Sequence, residues 1–205
     1  MTDYQIWLAT DGPPAAQVDG GVVLATEFYV TTSGLYVKAL RFWRADTTIT
    51  GTITGRVYVV TDAVSGSPLA GSDVTWVLSG TGWLTAALAA PVALTSGQRY
   101  RASAQFPVNY AATPGYWTTG GAGATDLVNG PLIAPTTIHA TGGDQGSYVV
   151  SGSLAYTLNS FGAASYWVDV TVTDTVAGPQ IGTATAAAGA TSSISSTATK
   201  TGGPV

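Results

Sequence analysis

Ser165-Tyr166-Trp167-Val168-Asp169-Val170-Thr171-Val172-Thr173-Asp174 alternates along its length. Tyr166, Val168, Val170 and Val172 fall on one face; Asp169, Thr171 and Thr173 fall on the other. A period of two marks a half-buried β-strand. Directly after it the character of the chain changes. From Val176 to Val205 there is no aromatic residue and one charge, Lys200. The stretch therefore reads as the last strand of a folded domain, with a tail behind it.

Working back from that strand, residues 22–175 read as strands broken by turns. Val22–Val30, Leu35–Trp43, Arg56–Thr61, Val74–Leu78, Arg99–Phe106, Tyr148–Val150 and Leu154–Leu158 join residues 166–173, about eight strands between Gly, Pro, Ser and Asp clusters. In Arg99–Phe106 the alternation turns Tyr100, Ala102, Ala104 and Phe106 inward, with Arg99, Arg101, Ser103 and Gln105 outward. No segment holds a helical period over ten residues. The expectation is an all-β fold, a sandwich or a barrel of antiparallel strands. Residues 1–21, punctuated by Asp11-Gly12-Pro13-Pro14 and Asp19-Gly20-Gly21, read as an extended arm whose Trp7 docks on something. Residues 176–205, rich in Ala, Thr, Ser and Gly, are too poor in large apolar groups to order by themselves.

Composition narrows the function. Of 205 residues 45% are hydrophobic, enough for a core, while 9% are charged against a usual ~25%. Such a surface suits packing against neighbours. The net charge is −4, and the seven basic residues form no run. Nucleic-acid affinity rests on phosphate neutralisation, so DNA and RNA are not expected partners. No window approaches the ~20 apolar residues of a membrane span. Met1–Leu8 has neither the basic nor the apolar region of a signal peptide, so assembly in the cytoplasm is expected.

Chemistry-bearing residues are sparse. Cysteine is absent and His139 is the single histidine, which argues against zinc and against a Ser-His-Asp set. Glu27 is the one glutamate, and no carboxylate pair stands out. Oxygen ligands for calcium reduce to Asp126, Asn129 and Asp144 in the long irregular region 107–147. No enzyme activity and no cofactor are expected. That same region carries Tyr110, Tyr116 and Trp117, which form the candidate stacking platform for a glycan if they are exposed. Trp167 falls on the polar face of the last strand. With Trp7, and with Ile181 and Ile194 in the tail, it is a candidate contact to a partner.

Six short segments then line up with a known family. They are Thr26-Glu27-Phe28 with Gly34-Leu35; Leu40-Arg41-Phe42-Trp43; Gly82-Trp83 with Ala90–Tyr100; Asn109–Tyr116; Val128-Asn129-Gly130-Pro131-Leu132; and Ser165–Val170. In this order, over about residues 22–173, they resemble the DUF4082 domain. The resemblance implies an immunoglobulin-like sandwich. Such domains occur on secreted bacterial carbohydrate-active and surface proteins, and in virion proteins of phages infecting actinobacteria. No catalytic residues are established for the family, so none is carried over. The resulting expectation is a phage structural protein, in a minor tail or tail-tip position or as capsid decoration. Its partners would be other virion proteins and copies of itself, with the arm (1–21) and the tail (176–205) fastening the domain (22–175). The alternative is a carbohydrate-binding module of a bacterial surface protein or of a protein adhering to host-wall glycan, acting through Tyr110, Tyr116 and Trp117.

Overall fold

The computed structural model describes residues 2–13, 15–143 and 145–175. Eight strands frame it: β1 (Asp3–Tyr4), β2 (Val22–Val30), β3 (Leu35–Arg44), β4 (Thr54–Val60), β5 (Gly82–Leu94), β6 (Arg99–Phe106), β7 (Ser147–Val150) and β8 (Val168–Thr173). Shorter segments of two or three residues extend them. One sheet runs β1-β8-β3-β5. The other is built on β2-β6-β4, with β7 and Leu132–Ala134 pairing along the free side of β2. All pairings are antiparallel. The molecule is an antiparallel β-sandwich.

The core lies between the sheets, where alternation puts it. Val37, Leu40 and Phe42 of β3 and Val168, Val170 and Val172 of β8 are buried, as are Leu24 and Phe28 of β2 and Tyr100, Ala102 and Phe106 of β6. Phe42 meets Phe106 edge-on at 5.2 Å across the gap, and Phe28 stacks on Tyr100 at 5.5 Å. Each such ring removes a large apolar area from water, the dominant favourable term here.

Both sheets are also covered on their outer faces, which simple alternation does not announce. Every residue of β8 is buried. The polar side of β6, with Arg101, Ser103 and Gln105, is buried too. After β7 leaves the sheet, the chain segment 151–158 crosses over that side. It is pinned where the Arg101 guanidinium donates to the Thr157 carbonyl (2.5 Å) and stacks over Tyr156 (4.7 Å). Leu154–Leu158, expected as a strand, is therefore a crossing segment whose carbonyl is used by an arginine. Val74–Leu78 is likewise shorter, Val74–Thr75, because Trp76 turns into the core and donates its indole N–H to the Leu84 carbonyl (3.0 Å).

Residues 2–13 are not a detached arm. β1 pairs with β8, Asp3 opposite Thr173 and Tyr4 opposite Val172. Ala16–Gln17 pairs with Tyr110–Ala111. The N-terminal segment is an edge strand and a cover of the first sheet, so the expected boundary at residue 21 does not divide the fold.

Candidate functional site

The aromatic residues singled out from the sequence converge, but inward. Trp7 is 2% exposed and sits in a cage of Trp83, Tyr116, Trp117 and Trp167, with ring centroids 5.1–6.2 Å away. Its indole N–H donates to the Tyr116 hydroxyl (2.8 Å). Trp167 adopts a positive φ of 54°, which breaks the strand before Val168 and turns its ring into this cage; its indole N–H donates to Thr113 Oγ1 (3.0 Å). Trp7 and Trp167, expected at a partner contact, are instead buried within their own domain. Packing the large rings against one another removes their apolar area from water.

The stacking platform of Tyr110, Tyr116 and Trp117 is corrected on the same ground. Tyr116 and Trp117 are buried, and only Tyr110 remains half-exposed. Two glycines let the chain close over Trp117: a Cβ at Gly123 would stand 2.3 Å from its ring, and one at Gly146 2.0 Å from the Ala164 carbonyl. Ile181 and Ile194 lie outside the described residues.

Beneath the cage lies a buried ion pair. Asp169 and Arg41 are paired at 2.5 Å. Asp169 also accepts from the backbone N–H groups of Ile6 (3.0 Å) and Val170 (2.6 Å), while Arg41 donates to the Trp7 carbonyl and lies 4.1 Å over the Trp83 ring. Complete burial pushes the Asp169 carboxyl up, and Arg41 pulls it back. The pair ties the N-terminal segment to the sheet. Glu27 is similarly sealed. It accepts from the Thr141 N–H (2.9 Å) and hydroxyl (3.0 Å) and faces Arg101 at 3.6 Å. With both side chains closed off from solvent, this cluster anchors Thr141 and the crossing segment at Thr157.

His139 is exposed and pairs through Nδ1 with Asp126 (2.8 Å), whose carboxylate also accepts from the Thr136 N–H (2.7 Å). The three together close the turn 126–139. Of the oxygen ligands considered for calcium, Asn129 donates to the Gln5 carbonyl (3.0 Å), and Asp144 lies outside the described residues. Among the described residues no three His, Cys, Asp or Glu gather in one place.

One concave feature reaches solvent with an aromatic lining. A cleft of about 220 Å³ is lined by Tyr110, Tyr148 and Tyr166, by Gln17 and Asp19, and by Phe161. Tyr110 and Tyr148 both contact Tyr166 edge-on, at 6.0 and 6.5 Å between centroids. Three separate elements bring them together: the pairing of Tyr110 with Gln17, the pairing of Tyr148 with Leu24, and the bridge of Thr113 to Ser165 beside Tyr166. None of the three hydroxyls has a protein hydrogen-bond partner among the described residues. Burial, then Asp19 and Tyr148, push the Tyr110 hydroxyl up; burial, then Tyr110 and Tyr148, do the same at Tyr166. Both phenols therefore keep their protons near neutrality and remain donors. Of these residues only Tyr110 was singled out in the sequence. Gln17 and Asp19 were assigned to the arm, and Tyr148 and Tyr166 to strand faces, so no local pattern could assemble them.

No curated protein matches the chain. The family described as a domain of unknown function, DUF4082, matches residues 10–168, which takes in the N-terminal cover from residue 10 and reaches the start of β8. With a match over most of its length and the sandwich described above, the chain belongs to the DUF4082 family.

Proposed function

We propose that the protein is a non-enzymatic structural component of a phage particle, its sandwich displayed on the particle and residues 176–205 fastening it to other virion proteins or to copies of itself. The observation that supports this most is where the charge sits. Arg41, Arg44, Arg101, Glu27 and Asp169 are buried, so a chain already poor in charge turns five of its eighteen charged side chains inward. The surface keeps few charges, with Val18, Val77 and Ile138 among the strongly exposed residues. Little charge must be desolvated when such a surface packs against neighbours. Because the N-terminal segment is built into the sandwich, fastening falls to residues 176–205 alone.

Antibody raised against the sandwich tests the reading on particles purified after lysis of a host carrying the gene. Labelling of the particles, at head or tail, is the expected result. Absence of the chain from purified particles overturns it. A chain lacking residues 176–205 is expected to fold and stay out of particles; normal incorporation would remove the fastening role.

A further inference from the structure

We propose that the cleft formed by Tyr110, Tyr148, Tyr166, Gln17 and Asp19 is a binding site for one ring of a neutral saccharide. This goes beyond the particle role and holds whether or not that role does.

The cleft is smaller than the ~300–1,000 Å³ of sites that engulf drug-sized ligands, and suits a single ring-sized group. Its walls are mixed in the way a sugar is. Val22, Leu24 and the tyrosine rings offer apolar surface to the C–H face of a ring, and Phe161, 69% exposed at the rim, offers a free aromatic face. Against that surface stand polar groups able to serve hydroxyls. Asp19 accepts, and Gln17 and the three phenols both donate and accept.

Tyr166 is the decisive residue. It is 4% exposed, lines the cleft, and its hydroxyl has no protein partner among the described residues. The ring is held by packing while the hydroxyl opens into the cleft, where a hydroxyl-bearing ligand can take the place of water as its hydrogen-bond partner.

Other ligand classes fit less well. No lysine or arginine lines the cleft and Asp19 does, so an anion meets repulsion without compensation. Three aromatic rings and a carboxylate also describe a cage for a quaternary ammonium. Such a cation carries no hydrogen-bonding group and would leave three phenols unserved. In addition, the Tyr110 and Tyr148 rings contact Tyr166 edge-on rather than standing apart around a central space.

The test uses the full chain and saturation-transfer NMR with glucose, galactose, mannose, rhamnose and N-acetylglucosamine, each at about 10 mM, a concentration that reveals dissociation constants in the millimolar range. Choline and a proline-rich peptide serve as competing probes. Tyr166→Phe and Asp19→Asn are the variants, because each keeps shape while removing one polar function, and an unchanged melting temperature is the control on folding. The expected result is binding of at least one saccharide, with affinity reduced about tenfold in the two variants combined. Failure of every saccharide to bind overturns the proposal. So does saccharide binding that both variants leave unchanged, because the site would then lie elsewhere. Binding of choline or the peptide at the cleft without any saccharide overturns the ligand assignment.

Discussion

Arg41 and Asp169 face each other at 2.5 Å on adjacent strands, each almost wholly closed off from water. The carboxylate is shared between that guanidinium and the backbone N–H of Ile6, so one side chain holds both its neighbouring strand and the N-terminal cover. Removing one partner leaves a buried charge uncompensated. Arg41→Ala is therefore expected to cost about 3–5 kcal/mol of unfolding free energy, read by chemical denaturation. Asp169→Asn, which keeps an acceptor for Ile6, should cost less than Asp169→Ala. Equal loss in the two would show that the N-terminal tie contributes nothing.

Trp7 converts that tie into packing. Its ring fills a space walled by four other aromatic residues, and truncation would leave a cavity there. Trp7→Ala is expected to destabilise by about 3–5 kcal/mol. Deletion of residues 2–8 should be at least as damaging, since it also uncovers the edge of β8. A dispensable arm would leave the melting temperature unchanged, so a differential scanning measurement separates the two descriptions directly.

What the sequence could and could not tell is best seen on particular strands. Val22–Val30 is legible from its β-branched and aromatic residues, and Arg99–Phe106 from the strict alternation of Tyr100, Ala102, Ala104 and Phe106 with Arg99, Arg101, Ser103 and Gln105. β5, thirteen residues long, carries no legible strand signal in the sequence. It is rich in alanine and contains Pro91, both poor strand signals. The structure accommodates the proline because β5 is an edge strand, paired with β3 alone among the described residues. Pro91 falls where the register slips between Ala87 opposite Ala39 and Val92 opposite Val37, a position at which no ladder N–H is needed. The cleft was illegible for a different reason. Its residues come from positions 17, 19, 110, 148, 161 and 166, and only strand pairing brings them together.

Gly146 shows how tightly the cover is fitted. Its φ of +75° favours glycine, and a Cβ would also stand 2.0 Å from the Ala164 carbonyl. Gly146→Ala is expected to cost more than about 1 kcal/mol, through both the backbone and the clash. The shift should reach Trp117, whose ring lies beside the same glycine, and so appear as a change in tryptophan fluorescence. Gly152, where nothing stands within 4 Å, is the control: alanine there should leave both stability and fluorescence close to unchanged.

The acid response of the fold follows from carboxylates that act as local clasps. Asp46 accepts from the Thr48 hydroxyl (2.6 Å) and N–H (2.8 Å) and from the Ala16 N–H (3.1 Å), and these bonds hold its carboxyl below the usual range. Asp73, through Arg56, and Asp174, through the Thr2 N–H, are lowered as well. A group with a depressed folded pKa contributes stability above its unfolded value of about 4 and loses it as pH falls through the folded pKa. Asp169 has the opposite sign, because burial raises it; its contribution is greatest at low pH and declines as pH rises through its folded value. The clasps are at the surface, so each effect is small and screened by salt. Between about pH 6 and about pH 2 the melting temperature is expected to fall, most steeply below about pH 4. Asp46→Asn, which cannot titrate, should flatten part of that slope while lowering stability at neutral pH. A slope identical to that of the unaltered chain would mean the Ala16 and Thr48 bonds do not hold the N-terminal cover in place.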